Sequence, residues 1–246
     1  MKRKLILSAV LTLSAIVLVV ATVLTTVAFL AHQASVTNTF TMGNVMIHLY
    51  ESAVDSNGKI SQTYPEGTMK DSIGNSYQLS PNGSYDKDPT VYVMPNSDES
   101  ILFVQVQNGI RNVEAAEEDG YIRMENQMVA KGWRYIGKNA LGNVYVYDGI
   151  FVGETYPTDD TKYGAVIPTN DKMQSFDLFT NFKIQENASR EAVEGKTLIV
   201  NAYAIQKKSF APDNQNYLTK DEVINAWKAL VSNFDTALEL VQEENN

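Results

Sequence analysis

The chain reads as a mainly β protein: an antiparallel β-sandwich with a short internal helix and a long C-terminal amphipathic helix. Three observations carry this reading. Short apolar runs with two-residue alternation recur, separated by stretches rich in Gly, Asn, Asp, Ser and Pro. Helical patterns do not alternate with them, which argues against a parallel α/β sheet. One apolar stripe of helical period closes the sequence.

The N-terminus comes first. Lys2, Arg3 and Lys4 precede an uncharged run of 26 residues from Leu5 to Leu30. A basic start, an apolar stretch and then small residues is the pattern of an export signal. Thr26 and Ala28 supply the small side chains, so cleavage is expected between Ala28 and Phe29, giving a signal peptide over 1–28. The run also exceeds the roughly 20 residues needed to span a bilayer, so an uncleaved anchor is the competing reading. Either way the basic flank stays cytoplasmic and the body goes outside. Membrane contact is expected through this segment alone.

The body, residues 29–246, shows no repeat and no dividing linker, and is expected to be one domain. Its hydrophobic share is 44%, enough for a sizeable core. The net charge is −9, and removing Lys2, Arg3 and Lys4 takes it to about −12. So acidic a body is a poor nucleic-acid partner, since such affinity rests on Lys/Arg contacts to phosphate.

Residues 36–49 begin with small and β-branched residues, turn at Gly43-Asn44, and continue as a strand from Val45 to Tyr50. Ser56-Asn57-Gly58-Lys59 is a turn signal. The polar stretch to Asp88 reads as loop, with a short strand near Tyr77-Gln78-Leu79. A strand follows between Pro89 and Pro95, where proline is tolerated at the ends. Residues 101–107 are apolar on both faces at first, the mark of a central strand. Tyr121, Met124, Met128 and Val129 fall at helical spacing before Gly132, which predicts a short surface helix. Trp133–Ile136 and Asn143–Tyr147 read as a hairpin, continuing into Ile150-Phe151-Val152.

Residues 155–171 are polar loop. Residues 196–206 form the strongest strand pattern, with Leu198, Val200, Ala202 and Ala204 on one face. The alanines imply close packing against something bulky. Thr219 and Glu222 fit a capping box. Val223, Trp227, Leu230, Phe234, Leu238 and Val241 then predict a helix over 219–244.

Catalytic signatures are scarce. The chain has no cysteine, which excludes disulfides, thiolate metal sites and a cysteine nucleophile. Of the two histidines, His32 lies near the cut and His48 lies on a strand. There is no H-E-x-x-H, P-loop or G-x-S-x-G. The acidic groups Asp86/Asp88, Glu117-Glu118-Asp119 and Asp159-Asp160 lack calcium-loop spacing. No catalytic, metal or cofactor residue is assigned, and no cofactor is expected.

Taken together, several segments resemble the TasA/camelysin family of proteins exported through a SipW-type signal peptidase. They are the long signal followed by Ser35 to Val45, the Asp86-Lys87-Asp88-Pro89-Thr90-Val91 stretch, and Asn201 to Gln206 with Trp227 beyond. The resemblance implies a jelly-roll-like sandwich, secretion, and assembly into biofilm-matrix fibres. It further implies that an N-terminal strand of one subunit completes the sheet of the next, by β-augmentation. Carried over by position, the exposed donor strand is residues 29–41, with Val36, Asn38 and Phe40 in the assembly strand and Gly43 as hinge. The implied partners are other copies of the chain, head to tail, or related fibre subunits. A camelysin-like cell-surface metalloprotease is the alternative within the resemblance, unsupported by any zinc motif here. A monomeric adhesin using the loops at 63–85 and 155–171 is a third reading.

Overall fold

The computed structural model describes residues 33–42, 44–117, 120–149, 162–211, 214–231 and 239–240. The signal segment, the Ala28–Phe29 cut, Gly43 and the expected strand at 150–152 lie outside these residues. Among the described residues no helix is long and apolar enough to cross a membrane.

The protein is mainly β, as its sequence patterning predicts. Four strands form the middle of the main sheet: β6 (Ser100–Asn108), β7 (Trp133–Asn139), β8 (Gly142–Tyr147) and β12 (Leu198–Gln206). They follow the order β7-β8-β6-β12, each pair antiparallel. The β7–β8 hairpin expected from Trp133 and Asn143 is present and longer than the apolar runs alone predict. Gly142 turns it with φ 126, and a Cβ there would lie 2.4 Å from the Val106 carbonyl oxygen, so only glycine fits.

Beyond β12 the sheet continues with the N-terminal strand β1 (Gln33–Met42), then with β3 (Gly74–Ser76). The β1–β12 pairing is parallel, and β3 runs antiparallel to β1. A second sheet has β5 (Thr90–Val93) between β2 (Ile47–Tyr50) and β10 (Gln174–Asp177). Two ribbons, β4 (Ser84–Asp86) with β11 (Asn181–Lys183) and β9 (Gly164–Ala165) with β13 (Tyr217–Leu218), complete the pairing.

Strand alternation sorts the core into two layers. Leu102, Val104 and Val106 of β6 join Leu198, Val200, Ala202 and Ala204 of β12 on the inner face. The second sheet covers that face with Ile47, Leu49, Val91 and Val93. Ile101 and Phe103, with Tyr203 and Ile205, point the other way, towards α3 (Lys220–Val231). Because both faces of β6 are covered, its apolar run needs no polar alternation.

The surface helix near Met124 is α1 (Met124–Ala130), and a short α2 (Arg190–Val193) precedes β12. Met124 and Met128 are buried, while Val129 remains partly exposed. The predicted capping box at α3 is formed: the Thr219 amide donates to Glu222 Oε2 at 2.8 Å, and the Glu222 amide donates to Thr219 Oγ1 at 3.3 Å. Trp227 is fully buried, with its ring 5.2 Å from Tyr203 and 5.5 Å from Phe103.

Two expectations need correction. The helix predicted over 219–244 is described over Lys220–Val231, and Glu239–Leu240 instead form a strand, β14, against Lys138 and Gly137 of β7. The sequence Leu238-Glu239-Leu240 also carries a two-residue alternation, and an edge strand offers it unpaired backbone groups. The short strand expected at Tyr77-Gln78-Leu79 lies earlier, at Gly74–Ser76. Tyr77 is instead a core residue, packed edge-on against Tyr85 and Phe182 at 5.9 and 5.3 Å.

Candidate functional site: the slot of the N-terminal strand

The sequence places its candidate residues in the N-terminal strand, and the structure shows what surrounds that strand. Val36 stands opposite Val200, and Phe40 opposite Tyr203, in parallel register. Asn38 falls in an irregularity between Val36 and Thr39, where the register shifts. Gln33, Ala34 and Ser35 pair with Ser76, Asn75 and Gly74. The strand expected to be exposed therefore lies between two strands of its own chain. The reason is that β12 and β3 both present ladder groups towards it, and buried backbone groups must be paired.

One wall of the slot is apolar. Val200, Ala202 and Ala204 of β12 are fully buried, and the small alanines sit among the bulkier core side chains as their pattern predicts. The other wall is polar and hangs on a buried network. Asn75 of β3 donates from Nδ2 to Glu51 Oε1 at 2.7 Å and to the Ser52 carbonyl at 2.8 Å. Its Oδ1 accepts from the Val54 amide at 3.1 Å. Lys87 Nζ donates to Glu51 Oε2 at 2.5 Å, with both side chains 0% exposed.

The network extends along Asp88. Its carboxylate accepts from the Ser52 amide at 2.8 Å and hydroxyl at 2.7 Å, and pairs with Lys70 Nζ at 2.9 Å. Lys70 also donates to Thr90 Oγ1 and to the Asp88 carbonyl, which ties the 60–72 loop to β5. Burial pushes the Glu51 carboxyl up against the pull of Lys87. Burial likewise pushes the Lys87 ammonium down against the pull of Glu51. Desolvation of each group outweighs their attraction, as is usual for a dry ion pair.

Sequence reasoning found β1 and the Asp86-Lys87-Asp88 stretch but missed Glu51, Ser52 and Asn75. Two signals were present. Glu51 is a charge directly after an apolar strand, and Lys87 stands in a run that is otherwise buried. Neither names its partner, because Glu51 and Lys87 are 36 residues apart.

The remaining candidates lie elsewhere. His48 is half-buried and stacks on Tyr50 with centroids 5.7 Å apart. Asp86 accepts from Lys59 Nζ and the Ile60 amide, both at 3.0 Å, and shares none of these partners with Asp88. Glu117 lies beside the start of α1, accepting from the Arg123 amide and from the Asn126 side chain. Among the described residues no group of three or more His, Cys, Asp or Glu side chains could hold a metal ion. Asp159 and Asp160 lie outside the described residues, as does part of the 155–171 loop. Comparison of the chain with protein-family models, curated proteins and solved structures gave no match.

Proposed function

We propose that this protein is a secreted structural subunit of biofilm-matrix fibres, of the jelly-roll-like TasA/camelysin type. It assembles by lending its N-terminal strand to the next copy. One observation supports this reading above the others. A strand at the very start of the body, Gln33–Met42, fills a slot between β12 and β3, strands that lie far from it in sequence.

The physical argument is exchange. The same segment from a second copy makes the same backbone pairs in the same slot, so swapping loses no ladder bonds. A copy that lends its strand leaves β12 as an edge whose alternate residues Val200, Ala202 and Ala204 are apolar and normally buried. Such an edge pairs with the next available strand. Each lender therefore becomes a receiver, and head-to-tail contacts that do not close make filaments. In this reading a SipW-type peptidase frees the strand by cutting between Ala28 and Phe29. The acidic body keeps unassembled copies soluble by self-repulsion. The partners are further copies or related subunits, outside the cell.

The test is electron microscopy at near-neutral pH of the purified protein and of a form lacking residues 29–41. The intact protein is expected to form filaments. The shortened protein is expected to form none and to shorten the filaments of the intact protein when mixed in, since it can receive but not lend. Identical filaments from the shortened protein would refute strand lending.

A further inference from the structure

The two walls of the slot hold β1 in different ways. β12 is anchored on its far side by β6 along its whole length, from Leu198 opposite Asn108 to Gln206 opposite Ser100. β3 has three residues, stands at the end of the sheet, and pairs with β1 through those residues. Gly74 and Ser76 are exposed, and Asn75 is the buried residue of the strand. Its attachments to the body are the Asn75 amide, the bridge of Ser72 with Glu51, whose backbone bonds are 2.9 and 3.1 Å, and the buried ring of Tyr77 just beyond the strand, whose hydroxyl donates to the Asp86 carbonyl.

The Asn75 contact ends on a group that cannot shift freely. Glu51 is held by Lys87 on one oxygen and by Asn75 on the other. Both ions are dry, so their geometry is set by the surrounding core rather than by water. Within the three residues of the strand, one side chain ties it to a rigid internal pair.

We infer that β3 is a clamp on the N-terminal strand, and that Asn75, through Glu51 and Lys87, is the residue that positions it. This rests on the strand-lending reading above and adds its control point. With β3 in place, residues 33–35 are paired on that side and β1 stays in its own slot. When β3 swings off, β1 keeps its parallel ladder to β12 alone and can peel from its N-terminal end. The slot is then open to the same strand of a second copy. Loosening of β3, rather than of the β6–β12 body, sets the rate of exchange.

The experiment uses a fluorescent synthetic peptide of residues 33–42, with uptake by the purified protein followed by anisotropy and β1 protection by amide exchange. Asn75→Ala is expected to speed uptake about tenfold, the factor for about 1.4 kcal/mol, within the range for a lost buried hydrogen bond. Amides of β5 and β6 should keep their protection. A second variant ties the clamp shut. Gln33 and Ser76 are register partners, and the natural chain has no cysteine, so Gln33→Cys with Ser76→Cys can form a single crosslink. Oxidised, it should abolish uptake, and reduction should restore it. Undiminished uptake by the crosslinked form overturns the clamp, and does so even if Asn75→Ala fails to fold. Uptake by the natural protein that neither change alters also overturns it, and leaves strand lending standing. No uptake by any form overturns strand lending and the clamp with it.

Discussion

Replacing Lys87 by methionine tests the foundation of the slot's polar wall. The substitution keeps the length of the side chain and removes its charge. Lys87 Nζ lies 2.5 Å from Glu51 Oε2, and both side chains are 0% exposed. The Glu51 carboxylate is then left dry, with Asn75 as its remaining donor. Breaking one partner of a buried pair costs about 3–5 kcal/mol. For a chain of this size that lowers the melting temperature by on the order of 10 °C. Trp133 and Trp227 are both fully buried, so tryptophan fluorescence in a urea titration reads the loss directly. Adding Glu51→Gln should recover most of it, because no uncompensated charge remains. A loss below about 1 kcal/mol, or a double variant no better than the single one, would show that the pair is not a dry, mutually dependent unit.

Two further outcomes follow from the same chemistry. Burial raises the carboxyls of Glu51 and Asp148 over the opposing pull of Lys87 and Arg134. The folded state therefore binds more protons, and this stabilisation is full below the ordinary carboxylate range and lost as pH rises through the raised values. The melting temperature should fall between mildly acidic and neutral pH, and Glu51→Gln with Asp148→Asn should flatten the slope; a flat curve for the natural protein would refute this. Lys87, lowered by burial, acts oppositely, its contribution being lost as pH falls through its folded value. At α3, Thr219→Ala removes the hydroxyl half of the reciprocal cap and should cost about 1 kcal/mol by urea titration. No change there would mean that packing of Trp227 alone holds the helix start.

Much of the fold was legible because its signals are local. Period-two alternation marked β8 and β12, a run apolar on both faces marked β6, the proline bracket marked β5, and Thr219 with Glu222 marked the start of α3. The small residues Ala202 and Ala204 correctly pointed to a packed face. The helix end failed because 3.6- and 2-residue periods both fit Leu238 to Val241, and pairing with β7 decides between them at Glu239 and Leu240. The short strand at Gly74–Ser76 was misplaced because three residues with one buried side chain carry no period at all.

The sequence by itself determined a β-rich acidic body, a strand directly after an apolar segment, and the capped start of a C-terminal helix. Each rests on residues within a few positions of one another, where side-chain spacing and backbone preference act. Only the tertiary structure decided which strands flank the N-terminal one and what anchors the slot. Val36 meets Val200 and Lys87 meets Glu51 only after the chain has closed loops of very different length. Those pairings are selected by burial and by the need to satisfy every dry polar group, and neither is written in local spacing.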